Sequence, residues 1–182
     1  YSIKKHLKRA YREEEEQLQE FYNEITGSDD SDLQQIEQED EEDIDISVVT
    51  DEESPVVKLV NIVISNALKR GASDIHIEPF ERRIRLRYRI DGICHEVEPI
   101  PPKKMQNAIS SRLKIMAELD IAERRKPQDG KFRLRFEGRE VDFRVSVLPT
   151  VHGEKIVMRI LDASALKLSL NDLGFEPKPL ED

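Results

Sequence analysis

Two arginines, Arg144 and Arg159, stand in the middle of the two strand-like runs of VDFRVSVLPTVHGEKIVMRIL, residues 141–161. An arginine on a strand ordinarily faces water. Its planar guanidinium also carries five donors in a fork that matches phosphate oxygens two at a time. Supplied from outside a nucleotide-binding loop, such a group stabilises the charge on a transferring phosphoryl group. Arg144 has Asp142 and Ser146 on its own strand face, which could hold its guanidinium in place. Arg159 shares its face with Val157 and Leu161, which argues against a plainly wet surface. Both residues are candidates for contact with phosphate.

The same alternation repeats elsewhere. Arg85, Arg87, Arg89, Arg133 and Arg135 also sit opposite the apolar side of their strands, and an ordinary solvated face explains these five as well as a binding surface does. His76 and Glu78 fall at i, i+2 on one strand face and read as a structural polar pair or a satisfied surface histidine. The four histidines lack H-x-x-x-H spacing and Cys94 is the one cysteine, so no metal site is expected and no internal disulfide can form. The seven glycines include no G-x-x-x-x-G-K-[ST] and no G-x-G-x-x-G, so no loop in this sequence can cradle phosphates by backbone amides.

The elements that must position these residues follow from periodicity. Ser54-Pro55 reads as an N-cap followed by proline at the first helical position. Val56, Leu59, Val60, Val63, Ala67 and Leu68 form a helical core stripe, which Lys69, Arg70 and Gly71 close. SDIHIE and RIRLRYRI alternate as strands, Asp91-Gly92 signals a hairpin, and ICHEV returns. Pro101-Pro102 opens a second helix, expected to run to Leu119 through Met105, Ile109, Leu113 and Met116. PQDG, residues 127–130, reads as a turn. KFRLRF, REVDFRVSVL and KIVMRILD are three further strands. Helix, three strands, helix, three strands, with one apolar face per strand, predicts an α+β domain whose antiparallel sheet packs on helices.

Charge divides the chain. Residues 1–53 hold 5 Lys/Arg against 19 Asp/Glu, and residues 54–182 hold 24 against 19, so an acidic leader of −14 precedes a basic body of +5. Residues 1–27 read as a polar helix with a thin apolar stripe. Residues 28–53 read as an acidic flexible linker that buries too little to fold. The compact domain spans 54–163, and 164–182, with its Gly and Pro, reads as a connection to a following domain. No apolar run approaches the ~20 residues of a membrane span. The acidic leader and the low aromatic content argue against nucleic-acid binding.

In order and spacing, ASDIHIEP (72–79), RLRYRIDG (85–92), RLKIMAELDIAERRKPQDGK (112–131), VDFRVSVLPTVHGEKIVMRILD (141–162) and LGF (173–175) resemble the region just before the nucleotide-binding core of bacterial secretion ATPases. These are the hexameric motors of type IV pilus assembly and type II secretion, the PilB/GspE group, and VDFRVS and AERRKPQDGK look closer to the pilus branch. The resemblance implies a PAS-like second N-terminal domain, without the P-loop core, in a homo-hexamer on the cytoplasmic side of the inner membrane. It implies that Arg144 and Arg159 reach the phosphates of ATP when this domain closes on the core, acting there in catalysis and in nucleotide binding. ATP and Mg would be held by the parent protein, with none bound by this portion alone, and domain rotation would push pilin at a platform protein of the inner membrane. Two other functions stay open: a ligand-sensing PAS-like module, and a domain of a type II secretion ATPase.

Overall fold

The computed structural model describes Gln19 and residues 54–161. The expected polar helix, acidic linker and C-terminal connection, Gln19 apart, lie outside the described residues. Helix α1 spans Pro55–Lys69, followed by β1 (Asp74–Pro79), β2 (Ile84–Ile90) and β3 (Ile93–Glu96). A 3-10 turn, Lys103–Met105, leads into α2 (Gln106–Met116), and β4 (Gln128–Phe136), β5 (Arg139–Thr150) and β6 (Gly153–Leu161) complete the domain. All neighbours in the sheet are antiparallel, in the order β3-β2-β1-β6-β5-β4. Two three-stranded meanders are thus joined through their first and last strands, which puts β1 and β6 at the centre.

Local chemistry sets the element ends. The Ser54 hydroxyl accepts from the Val57 amide at 3.5 Å, with Pro55 opening α1. Gly71, at φ 64°, carries the chain out of the helix. The β2–β3 hairpin turns through Asp91 and Gly92, both at positive φ, as the Asp-Gly pair predicts. Helix α2 stops at Met116 instead of reaching Leu119, because Glu118 takes φ 55° and breaks the helical path. PQDG is not a turn: β4 begins at Gln128 and pairs with β5 from Gln128↔Val147 onward. Gly130 permits this, since a Cβ there would stand 2.6 Å from the Ala117 carbonyl oxygen at the end of α2.

The sheet has one apolar and one charged face. Ile75, Ile77, Ile84, Leu86, Tyr88, Phe132, Leu134, Val141, Phe143, Val145, Ile156 and Met158 are buried with Leu59, Val63, Ile109 and Leu113 of the helices. Tyr88 lies wholly inside and donates its hydroxyl to the Val63 carbonyl at 2.7 Å. The gap left between helices and sheet, among Leu59, Val63, Leu86, Ile109, Leu113 and Met158, is only about 10 Å³. That is room for one water at most.

Candidate phosphate-contacting face

The opposite face carries the seven strand arginines singled out by alternation. Register places five residues in one row across the sheet: Arg89 on β2, Asp74 on β1, Arg159 on β6, Arg144 on β5 and Lys131 on β4. Arg144 and Arg159 are direct cross-strand partners, so the structure brings the two predicted residues together. Like charges directly opposite repel, which costs stability and favours an anion between them.

The two arginines differ in how they are held. Arg159 donates from Nε to Asp74 Oδ1 at 3.0 Å, with its side chain 68 % exposed. The expectation that Val157 and Leu161 keep it off a wet surface fails, because its guanidinium leaves the strand toward Asp74 and water. Asp74 also meets Arg89 Nε at 3.2 Å and accepts from the Ser73 hydroxyl at 2.8 Å. Burial alone would raise the Asp74 carboxyl, but the hydrogen bonds from Ser73 and Arg159 and the charges of Arg159 and Arg89 hold it below the usual carboxylate range. Arg144 is exposed and, among the described residues, its side chain has no hydrogen bond or ion pair. The expected holders are engaged elsewhere. Asp142 accepts from Arg133 Nε at 2.7 Å, and the Ser146 hydroxyl donates to Asp129.

Along β1 the two carboxylates of the charged face are each shared by several cations. Glu78 is buried, yet takes Arg85 Nε at 2.8 Å, Arg87 Nη2 at 2.9 Å and Lys155 Nζ at 3.0 Å. Burial pushes its carboxyl up, but hydrogen bonds from Arg87, Lys155 and Arg85 outweigh this and bring the pKa down to about 2. Arg85, Arg87 and Arg89, the secondary candidates, are therefore bound to buried carboxylates. His76 is neither hydrogen-bonded to Glu78 nor a surface residue: it is buried, and among the described residues neither ring nitrogen has a hydrogen-bond partner. Burial first, and then the Arg87 charge, pushes its pKa down, so the ring is neutral near pH 7.

Periodicity gave no reason to single out Lys131, Asp74 or Lys114. Lys131 stands opposite Arg144 and, with Asp129, Gly130, Val145 and Ser146, the two line an open depression of about 370 Å³. The legible signal was parity, since Lys131 falls in step with Arg133 and Arg135. Lys114 is 1 % exposed, forms an ion pair with Glu154 and donates to the Glu123 carbonyl at 2.7 Å. It ties α2 to the start of β6 and to the segment that leads into β4. Among the described residues no three His, Cys, Asp or Glu side chains converge as a metal site, and no helix is long and apolar enough to cross a membrane.

The domain thus pairs an apolar core face with a charged sheet face on which Arg144 and Arg159 are cross-strand partners. Comparison with known proteins gives the family. The family described as "Type II/IV secretion system protein" matches residues 49–182. The type IV pilus assembly ATPase PilB of Myxococcus xanthus is 48% identical over 180 residues, covering 98% of this chain and 31% of that protein. The type II secretion system ATPase E of Vibrio cholerae is 42% identical over 168 residues, covering 92% and 33%. The type II secretion system protein E of Xanthomonas campestris is 55% identical over 123 residues, covering 68% and 22%. The chain belongs to this family of secretion ATPases, and it spans about a third or less of the length of these relatives.

Proposed function

We propose that this chain is the phosphate-sensing and mechanical domain of a hexameric ATPase that powers type IV pilus assembly. The observation that carries the proposal is the row Arg159–Arg144–Lys131, in which Arg144 has two cationic neighbours and no counter-ion among the described residues. An exposed arginine without a counter-ion, beside other cations, can take up an anion without first giving up a partner. The donors fit phosphate: guanidinium forks and an ammonium, all without acceptor capacity. ATP and Mg would be bound by the core of the parent protein, and the arginines would meet the terminal phosphate as this domain closes. Nucleotide state would then set domain orientation, and rotation in a homo-hexamer would drive a platform protein at the inner membrane from the cytoplasm. The pilus branch is preferred because the relative aligned over 98% of the chain is named for pilus assembly.

Type II secretion is the sister reading within the family. The gap of about 10 Å³ between helices and sheet holds no organic ligand, so a ligand-sensing module would have to take an anionic molecule on the basic sheet face instead. The test uses the full-length ATPase. Arg144→Ala and Arg159→Ala should each lower kcat by ~10³-fold or more, the lower end of what a lost arginine finger costs. ATP affinity should fall less, and Arg→Lys should rescue poorly. The fold should persist, because Asp74 keeps Arg89 and Ser73 when Arg159 is removed. Wild-type hydrolysis by hexameric Arg144→Ala and Arg159→Ala proteins would overturn the proposal.

A further inference from the structure

We infer that Lys131 is a third phosphate-contacting residue, and that the anion site is the depression between β4 and β5 in which Lys131 and Arg144 face each other. The inference rests on the phosphate reading of Arg144 and extends it to a residue that periodicity alone passes over. Three features carry it. Lys131 and Arg144 are cross-strand partners on the charged face. Both side chains lack a hydrogen bond or ion pair among the described residues. Both line the open depression of about 370 Å³.

Arg159 stands apart from this pair. Its Nε is committed to Asp74, so it approaches the depression from the β6 side with part of its charge already balanced. The depression has one acid of its own, Asp129, whose Oδ1 accepts the Ser146 hydroxyl. One carboxylate against two unpaired cations leaves a net positive site. Asp142, the next acid on the face, is bonded to Arg133 at 2.7 and 3.3 Å and feels the charge of Lys131 only as a weaker, through-space attraction. An ammonium and a guanidinium are complementary here: the lysine gives a compact point charge, and the arginine a planar fork of donors. The chemical class recognised is a terminal phosphate of a nucleotide or a free polyphosphate, with no base or sugar contact implied.

The same geometry makes a prediction that a structural role for Lys131 would not. Lys131 faces a like charge, so Lys131→Ala should leave the melting temperature unchanged or raise it. In the full-length ATPase it should lower kcat/KM for ATP by roughly 10- to 100-fold, the range for one lost charge-assisted donor. Lys131→Arg should restore most of the activity and Lys131→Gln little of it. Inorganic pyrophosphate added to the 182-residue chain, followed by NMR, should shift the resonances of Lys131 and Arg144 and leave those of Arg133 in place. Wild-type turnover by Lys131→Ala, with Arg144→Ala crippled, would refute the role of Lys131 and leave the phosphate reading standing. Both variants at wild-type turnover would instead sink the phosphate reading itself. A pyrophosphate response centred on Arg85 and Arg87 would place the anion site at β1–β2 and overturn the assignment.

Discussion

The two halves of the charged sheet face use the same residue type to opposite ends. Around β1, five cations share two carboxylates that are each only 5 % exposed. Arg85, Arg87 and Lys155 surround Glu78, and Arg89 and Arg159 flank Asp74. Around β4 and β5, Lys131 and Arg144 have no such acid, and the nearby Asp142 and Asp129 serve Arg133 and Ser146. An arginine is structural where an acid is buried on the neighbouring strand, and available where none is. Arg159 stands at the seam, tied to Asp74 on one side and facing Arg144 on the other.

The sharpest way to break this contrast is to remove the buried acid. Glu78→Ala leaves Arg85, Arg87 and Lys155 together without their shared counter-charge. Breaking a buried pair from one side costs about 3 kcal/mol. In a domain of this size that lowers the melting temperature by roughly 10–20 °C. Arg144→Ala should leave it in place, so the two substitutions separate stability from activity. Acid gives an independent check. The Glu78 pKa falls from 4.5 to about 2 on folding, so the stability it contributes is fully present above pH 4.5 and is lost as the pH drops toward 2. Glu78→Gln should remove that portion of the acid sensitivity. A Glu78→Ala protein that melts within a degree or two of the wild type would show that the β1 network does not hold the fold.

A smaller effect is expected at Gly130, in the available half. An added Cβ would meet the Ala117 carbonyl at 2.6 Å and Leu119 Cδ2 at 2.9 Å. The first contact is backbone, so β4 must move away from the end of α2. Gly130→Ala should cost about 1–2 kcal/mol, as crowding of a packed contact does. The strain falls between Asp129 and Lys131, so the pyrophosphate response of Lys131 should weaken along with the melting temperature. An unchanged melting temperature would mean that β4 is not wedged against α2 at this point.

Much of the fold was legible because alternation and punctuation agreed. RIRLRYRI followed by Asp91-Gly92 encodes a strand and its turn at once, and Ser54-Pro55 encodes a helix start. The end of α2 was not legible, since Leu119 continues the apolar spacing while Glu118 breaks the backbone path. PQDG reads as a turn by composition, but pairing with β5 and the tight approach at Gly130 override it. Within the site, strand parity placed every arginine on the correct face. Parity says nothing about which strands are neighbours. That Arg144 lies between Arg159 and Lys131, and that Asp142 turns to Arg133, depend on the β6-β5-β4 order and its register. The burial of Glu78 was equally hidden, because only the assembled sheet puts cations on both sides of β1.

The smallest effect is expected at Arg133, which tests whether exposure alone makes a strand arginine functional. Arg133 sits on the same face as Arg144, one strand away, with its side chain 59 % exposed. It is bonded to Asp142 and also reaches Glu140 Oε2 at 3.2 Å. The Asp142 hydrogen bond, with the charges of Asp142 and Glu140, raises its pKa, so it stays cationic at any working pH. It differs from Arg144 in having acids at hand, and from Arg87 in that those acids are open to water. Exposed pairs of this kind contribute little to stability. Arg133→Ala should therefore leave the melting temperature of the full-length protein unchanged within error and lower ATP turnover at most modestly. One indirect consequence is expected. Asp142, released from Arg133, stands two residues from Arg144 on the same face of β5 and becomes free to engage it. A modest loss of turnover in Arg133→Ala that is relieved in Arg133→Ala/Asp142→Asn would show that Arg133 keeps Arg144 available by occupying Asp142. A loss that persists in the double variant would mean that Arg133 itself meets the phosphates, and the division between paired and available arginines would have to be redrawn.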